Sequence, residues 1–351
     1  MTHTRWRAGS RRRVALIALA VLIVAAGAAY LSAVGADPGY RNPVLDNDAP
    51  DPAVIRAPDG TYYAYTTQAY FGAQFVNIPI LRSTDLVAWE LVGDAFPENP
   101  DWAVRSPGDM WAPHMTRWED GTYRLYFSAA RNDVDEMAIG VATSDSPTGP
   151  FTDSGGPIVT GPSFSAIDPF VLHAEDGAYL YWGSAGQPIS AQELAPDGLS
   201  VVGEPIEVLP RSTGEYESLI EGAWITEHEG RYYLLYSGDA CCGEGAHYAV
   251  MAARAEEPLG PYTRAPNNPI LAANAEFNAP GHHATIEGPD GEEWILYHAM
   301  VRPETTFRSL FLDRIDWVDG WPVINDGEGP SGCSADAPHD LLPRPLACRS
   351  D

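Results

Sequence analysis

The sequence contains no lysine, and its 21 basic residues are all arginines, set against 48 acidic residues. The formal net charge is −27 at pH 7. Without residues 1–36, sixteen arginines face the same 48 acidic residues, which makes the net charge −32. This excess of negative charge excludes nucleic acid as a ligand and disfavours a strongly anionic polysaccharide. A neutral partner is therefore expected.

Cysteine is also scarce. The four cysteines are Cys241, Cys242, Cys333 and Cys348. They show neither the Cys-x-x-Cys spacing nor the accompanying paired histidines of a metal-binding cluster. In an exported chain, a Cys333–Cys348 disulfide that ties down the C-terminal tail is the simplest pairing. The adjacent Cys241 and Cys242 either form a vicinal disulfide or stay reduced.

The N-terminus combines basic and apolar segments. Five arginines within residues 5–13 precede an uncharged apolar run from Val14 to Val34. Small residues follow at a plausible cleavage site, so residues 1–36 are interpreted as a signal peptide. The run of 21 residues is also long enough to span a bilayer as an uncleaved anchor. Either alternative places the rest of the chain outside the cytoplasm, secreted or held to a membrane only through residues 14–34.

Helical periodicity is almost absent, and a short turn motif recurs instead. Each copy joins Asp-Gly or Glu-Gly to a following run that is mostly aromatic, a pattern typical of a β-hairpin. The five copies are separated by 61, 56, 53 and 61 residues. This spacing predicts an all-β protein, a five-bladed β-propeller that forms a single domain over residues 37–351. The five turn pairs are Asp59-Gly60, Asp120-Gly121, Asp176-Gly177, Glu229-Gly230 and Asp290-Gly291.

Counting back eight residues from each turn reveals a second pattern. The innermost strand of every blade runs beside the propeller axis, so equivalent positions should converge at one end of it. Buried charge is costly unless it has a function, so acidic residues and a histidine at this end predict a functional site. The five positions are Asp51, Ala112, Asp168, Glu221 and His282.

Carboxyl groups on opposite sides of a sugar-sized pocket can hydrolyse a glycosidic bond. One is protonated and donates to the leaving oxygen, and the other is ionised and acts on water or carbon. A third carboxylate nearby would raise the pKa of the acid, because like charges repel. Asp51, Asp168 and Glu221 are the candidates for these three groups.

Five motifs around these positions carry a family resemblance: Pro50-Asp51-Pro52, Trp111-Ala112-Pro113, Ile167-Asp168-Pro169, Glu221-Gly222 and Gly281-His282-His283. In order and spacing they resemble the motifs of glycoside hydrolase family 43, over essentially the whole mature chain. The resemblance implies an inverting glycosidase. Asp51 would be its general base, Asp168 the aspartate that modulates the pKa of the acid, and Glu221 its general acid.

The resemblance implies roles for further residues. His282 matches an axial histidine that in many members helps to hold a calcium ion or a water cluster below the sugar, so calcium at His282 is the cofactor to be expected. Trp111 would line the pocket. Arg308 resembles an arginine that contacts the sugar, with Arg302 as the weaker candidate. His283 should point into the sheet.

The family acts mainly on arabinose- and xylose-containing plant polysaccharides, so the expected partner is a neutral pentose-containing polysaccharide or oligosaccharide. Residues 77–86 look like a segment of exo-acting members, and residues 237–243 resemble a segment of endo-arabinanases. We favour an α-L-arabinofuranosidase, with endo-α-1,5-L-arabinanase and β-D-xylosidase as alternatives. A propeller that binds glycans without cutting them is a more distant alternative, because its sequence would lack Asp51 or Glu221.

Overall fold

The structure is a computed structural model that describes residues 39–104, 108–303, 307–334 and 337–338. Its strands form five antiparallel sheets around a common axis, which confirms the expected five-bladed β-propeller. The predicted export segment, residues 1–36, lies outside the described residues. Within the described part of the chain, no helix has the length and hydrophobicity needed to cross a membrane.

Each blade is an antiparallel meander whose first strand lies nearest the axis. A short strand, β1 (Tyr40–Arg41), precedes the blades. Blade one contains β2 (Ala53–Arg56), β3 (Tyr62–Tyr65), an inserted hairpin of β4 (Ala69–Phe71) and β5 (Gln74–Val76), then β6 (Pro79–Ser83) and β7 (Glu90–Asp94). Blade two contains β8 (Met110–Arg117), β9 (Tyr123–Ala130), β10 (Met137–Ser144), β11 (Thr152–Asp153) and β12 (Val159–Thr160).

The remaining three blades follow in chain order. Blade three contains β13 (Phe170–Ala174), β14 (Gly177–Trp182), β15 (Ile189–Leu194) and β16 (Val201–Leu209). Blade four contains β17 (Ile220–His228), β18 (Arg231–Ala240), β19 (His247–Ala255) and β20 (Thr263–Arg264). Blade five contains β21 (Phe277–Glu287), β22 (Glu293–Val301), β23 (Ser309–Val318) and β24 (Trp321–Ile324). A 3-10 turn (Asn325–Gly327) and β25 (Cys333–Ser334), which pairs with β1, complete the described strands and helices.

The central strands of the blades are buried on both faces, because each sheet packs between two neighbours. In β9, for example, seven consecutive residues from Tyr123 are buried. Five hydrophobic clusters fill the five interfaces between blades, with Trp294 among the largest fully buried side chains. Truncation of a buried aromatic residue such as Trp294 to Ala should cost about 3–5 kcal/mol. This packing provides a rigid frame for the residues at the axis.

The first strands of the blades contact one another around the axis, and β21 returns to contact β2, so the ring is closed. The chain that enters blade one runs along blade five. The Val44 amide donates to the Leu310 carbonyl at 2.8 Å, and the Ala49 amide donates to the Arg308 carbonyl at 2.9 Å. This path delivers the start of blade one to the axial end beside β23.

Candidate active site

Four of the five predicted positions share an unusual backbone conformation at the axial end of the first strands. Asp51, Ala112, Asp168 and His282 have φ values of 54°, 45°, 61° and 40°. Residues other than glycine rarely adopt this left-handed region, and such strain is found most often at functional sites. Together with Gly222, whose φ is 60°, these residues form what we call the first ring.

Blade four departs from the eight-residue count by one position. Its turn pair, Glu229-Gly230, forms the two loop residues between the paired His228 and Arg231. In blade three, by contrast, Gly177 is already paired within β14. Counting back eight residues from the blade-four turn therefore reaches Glu221, one residue before Gly222. Glu221 pairs with Ser237 next to a β-bulge, and its side chain still lines the same pocket.

A second ring lies behind the first, on the second strands of the blades or just after them. Counting forward eight residues from the same turns identifies its members, which are Thr67, Ser128, Ser184, Ser237 and His298. Four members accept the backbone amide of the first-ring residue in the next blade: Thr67 from Ala112 at 2.8 Å, Ser128 from Asp168 at 3.1 Å, Ser237 from His282 at 2.9 Å, and His298 from Asp51 at 3.1 Å. Ser184 instead donates to the carboxyl group of Glu221.

Asp51 is buried among donors and positive charge. Its Oδ1 accepts a hydrogen bond from Arg308 at 2.9 Å, and its Oδ2 accepts one from the Thr67 hydroxyl at 2.6 Å. Nδ1 of His282 lies 3.5 Å from Oδ1. Burial alone would raise the pKa of Asp51, but the charges of Arg308 and His282 outweigh it and hold that pKa well below the ordinary value. Asp51 is therefore ionised at neutral pH.

Glu221 and Asp168 have the opposite electrostatic environment. The Tyr248 hydroxyl donates to Glu221 Oε1 at 2.9 Å, and the Gly222 amide donates to Asp168 Oδ2 at 3.0 Å. Burial raises the pKa of both carboxyl groups, and repulsion from Glu221 and Asp51 pushes that of Asp168 well above its ordinary value. The two groups titrate as a pair that keeps a proton to higher pH than Asp51 does.

These groups open onto one pocket of about 490 Å³, a volume within the usual range for small-molecule sites. All six residues predicted from the sequence line it: Asp51, Trp111, Asp168, Glu221, His282 and Arg308. Its wall also includes Asp48, Thr67, Gln68, Phe164, Ile167, Cys241 and Cys242. The structure thus brings together residues from all five blades around a cluster of three carboxyl groups.

Comparison with known proteins identifies the family. A sequence profile described as "Glycosyl hydrolases family 43" matches residues 40–322. The chain belongs to this family. It is 28% identical over 316 residues to a probable arabinan endo-1,5-alpha-L-arabinosidase A of Aspergillus flavus, an alignment that covers 82% of this chain and 94% of that protein. It is 27% identical to a non-reducing end alpha-L-arabinofuranosidase of Bacteroides ovatus, over 81% of this chain and 53% of that one.

Solved structures agree with the family assignment. A crystal structure of a thermostable family-43 glycoside hydrolase superposes with a TM-score of 0.73 at 27% sequence identity, covering 86% of this chain and all of that one. An exo-1,5-alpha-L-arabinanase from a bovine ruminal metagenomic library superposes with a TM-score of 0.67 at 27% identity, over 80% of this chain and 99% of that one.

Two other sequence predictions of this family 43 chain can be placed. Arg302, the weaker candidate for a sugar contact, lies outside the pocket and donates to the side chain of Asn278 at 2.8 Å. His283 is buried and also lies outside the pocket. Arg308 is therefore the arginine at the site, where it contacts Asp51 and has its backbone amide bound by Asp48 at 2.9 Å.

An aromatic cluster fills the propeller axis next to the first ring. His114, Phe170 and Trp224 each follow a first-ring residue by two positions, in blades two, three and four. Their ring centroids lie 4.8, 4.8 and 5.3 Å apart. Burial lowers the pKa of His114 to about 3, so its imidazole is neutral. The cluster packs the axis of the family 43 propeller with neutral rings.

The side chains around His282 do not by themselves form a calcium site. Calcium prefers six to eight oxygen ligands, and among the described residues no group of three or more His, Cys, Asp or Glu side chains is arranged to hold a metal. Nδ1 of His282 faces Asp51 at 3.5 Å and Asp168 at 3.6 Å, and both carboxyl groups accept hydrogen bonds from protein donors.

The cysteines resolve one alternative that the sequence left open. Cys241 and Cys242 form a vicinal disulfide in the wall of the pocket. Cys333 is also disulfide-bonded, but its expected partner, Cys348, lies outside the described residues.

Several residues at the site were not predicted from the sequence. The second ring carried a readable signal, since the turns that locate Asp51 also locate Thr67, Ser184 and His298 when the count runs forward. Tyr248 carried no such signal, because it lies on the third strand of blade four and reaches Glu221 only through folding. Gly281 makes space for Tyr248. A Cβ at position 281 would lie 2.1 Å from the Tyr248 ring, so only glycine leaves room for this tyrosine.

Proposed function

We propose that this family 43 protein hydrolyses the glycosidic bonds of pentose-containing plant polysaccharides by single displacement with inversion, with α-L-arabinofuranosidase as its main activity. One observation carries the proposal. The carboxyl groups of Asp51, Asp168 and Glu221 line one pocket, and Asp51 is held ionised while the Asp168–Glu221 pair keeps a proton. An inverting glycosidase needs this combination of a base and an acid.

The proposed reaction uses both groups in one step. Asp51 takes a proton from a water molecule as the oxygen of that water attacks the anomeric carbon. The bond from that carbon to the leaving oxygen breaks, and Glu221 gives its proton to this oxygen. Burial and repulsion from Asp51 keep the pKa of Glu221 high, the coupled Asp168 adds to this repulsion when it is ionised, and Arg308 holds Asp51 in place. The protonation states reset through solvent when the products leave.

The pH dependence follows from the two pKa directions. Activity should fall at low pH as Asp51 becomes protonated, and it should fall at high pH as the Asp168–Glu221 pair loses its proton. A bell-shaped profile is therefore expected. A profile without an alkaline limb would contradict the role of Glu221 as an acid.

The direct test uses aryl α-L-arabinofuranosides, aryl β-D-xylosides and debranched arabinan, with product configuration followed by NMR. The expected result is release of arabinose with inverted configuration. Products of retained configuration would overturn the single-displacement mechanism, and hydrolysis of xylosides alone would make β-D-xylosidase the activity. Binding of these sugars without hydrolysis would support a non-catalytic glycan-binding propeller.

Endo-α-1,5-L-arabinanase is the second candidate. The relatives described as arabinan endo-1,5-alpha-L-arabinosidases align over 94% of their length with 82% of this chain. The form of the products from debranched arabinan separates the two activities. Arabinose alone supports the exo-acting enzyme, and arabino-oligosaccharides support the endo-acting one.

We also propose that the domain acts outside the cytoplasm, either secreted or anchored through residues 14–34. The acidic composition and the disulfide between Cys241 and Cys242 are compatible with export. Fractionation of cells that express the full chain tests this proposal. Recovery of the protein only in the cytoplasm would contradict it.

A further inference from the structure

The hydrogen bonds around Asp51 and Glu221 differ in whether they can reverse direction. A hydroxyl group has one hydrogen to donate and two lone pairs to accept with, whereas a backbone amide can only donate. A hydroxyl that accepts from an amide therefore has its hydrogen left for its other neighbour. Among the described residues, three hydroxyl groups contact the carboxyl groups of Asp51 and Glu221, and they belong to Thr67, Ser184 and Tyr248.

Thr67 is fixed in one direction. The Ala112 amide donates to its hydroxyl at 2.8 Å, so the hydroxyl hydrogen is directed at Asp51 Oδ2, 2.6 Å away. Arg308, the other side chain that donates to Asp51 besides Thr67, is a permanent donor, and His298 and His282 lie 3.2 and 3.5 Å from the same carboxyl oxygen. Thr67 and Arg308 thus both require Asp51 to accept, which an ionised carboxylate does with either oxygen and a protonated hydroxyl oxygen does poorly.

The partners of Glu221 are not fixed in this way. The Ser184 hydroxyl contacts one carboxyl oxygen and the Tyr248 hydroxyl contacts the other. Within the described part of the chain neither hydroxyl has another hydrogen bond. For Ser184 the reason is that the Gly222 amide, the blade-four counterpart of the amides that the other second-ring residues accept, donates to Asp168 instead. Ser184 and Tyr248 can therefore donate to an ionised Glu221, and either can accept from a protonated one.

We propose that Thr67, Ser184 and Tyr248 are positioning residues that help to make Asp51 the base and Glu221 the acid. Thr67 keeps Asp51 as a hydrogen-bond acceptor, whereas Ser184 and Tyr248 accept from Glu221 when it is protonated and donate to it when it is ionised. When Glu221 has given its proton to the leaving oxygen, both hydroxyls donate to the new carboxylate and stabilise it. This inference rests on the proposed function and deepens it.

The test measures kcat/KM for a series of aryl and alkyl α-L-arabinofuranosides whose leaving groups differ in pKa. Thr67→Val removes a donor that is needed with every leaving group, so it should lower the rate about 10–100-fold across the whole series. Tyr248→Phe removes a group that is needed only when Glu221 gives up its proton. It should lower the rate about tenfold for alkyl leaving groups and less than about threefold for nitrophenol.

Matched variants separate positioning from general loss of stability. Thr67→Ser keeps the hydroxyl and should recover most of the activity that Thr67→Val loses. Ser237→Ala removes an equivalent acceptor of a backbone amide, without a carboxyl contact, and should lower the melting temperature with a smaller loss of rate. Tyr126→Phe removes a buried tyrosine hydroxyl that donates to the Gly198 carbonyl at 2.8 Å outside the pocket, and should leave the series unchanged.

The outcomes are distinguishable. Equal losses for Tyr248→Phe across all leaving groups, or a Thr67→Ser variant as slow as Thr67→Val, would overturn the inference while leaving the proposed function intact. A wild-type protein that hydrolyses none of the substrates would instead overturn the proposed function. If Thr67→Val does not fold, Ser184→Ala and Tyr248→Phe still test the reversible half against Tyr126→Phe.

Discussion

Asp51 and Glu221 are buried to the same degree, each with 8% of its surface exposed. The pKa of Asp51 is nevertheless lowered, whereas that of Glu221 is raised. Burial raises the pKa of each. For Asp51 the positive charge of Arg308, together with the neighbouring His282 and His298, reverses the effect, whereas for Glu221 hydroxyl hydrogen bonds offset only part of it. The partners of a buried carboxyl group, and not its depth, therefore decide whether it acts as a base or as an acid.

A second comparison shows that a depressed pKa alone does not mark a catalytic residue. Asp120 lies in an exposed turn, and hydrogen bonds from Thr122 lower its pKa to about 2. Asp51 and Asp120 thus share the direction of the shift but not the setting, because Asp120 faces solvent and lines no part of the active-site pocket. Asp120→Asn is therefore a suitable control for Asp51→Asn.

The largest effect is expected for Asp51→Asn. Because every substrate needs an activated water molecule, hydrolysis of arabinan and of nitrophenyl arabinofuranoside should both fall about 10²–10⁴-fold, as measured by kcat/KM. The matched variant Asp120→Asn should leave both rates unchanged. Azide should not restore Asp51→Asn with a product of retained configuration. Such a product would require a two-step mechanism through a covalent intermediate, and would overturn the assignment of Asp51 as the base of a single displacement.

Glu221→Gln should slow substrates with poor leaving groups more than substrates with good ones. Arabinan has a poor leaving group that needs protonation, so its hydrolysis should fall about 10²–10⁴-fold. An activated nitrophenyl glycoside barely needs the proton and should retain far more of its rate. If both substrates slow by the same factor, the acid is another carboxyl group and the contrast between Asp51 and Glu221 disappears.

Asp168→Asn should act through Glu221. Removal of the charge of Asp168 lowers the pKa of Glu221, because repulsion between the two groups favours protonation. Activity is lost as pH rises through the pKa of the acid, so the alkaline limb should move to lower pH while the maximum rate falls. A pH–rate profile provides the measurement, and an unmoved alkaline limb would show that Asp168 has only a structural role.

The smallest effect is expected from chelation. Since the donors around His282 do not form an oxygen cage, EDTA should leave the melting temperature and the hydrolysis rate of the purified protein unchanged. A loss of either one that added calcium restores would establish the calcium site implied by the resemblance. His282→Gln, measured with and without calcium, would then show whether this histidine holds the ion.

The sequence by itself determined the propeller and the position of its site. Turn chemistry and alternating strands are local properties, and their recurrence at a near-constant spacing was enough to define five blades. The same count located Asp51, Asp168 and His282. It missed the blade-four backbone position by one residue, because the Glu-Gly pair of blade four begins one residue earlier in its two-residue loop than the Asp-Gly pair of blade three does.

Only the tertiary structure decided which carboxyl group is ionised and what each hydroxyl can do. Asp51 meets Arg308 across 257 positions of the chain, and Tyr248 reaches Glu221 from another strand through a space that Gly281 leaves free. The pKa of a buried group depends on charges and donors within a few ångströms. No local pattern specifies those distances, so they exist only when all five blades have closed around the axis.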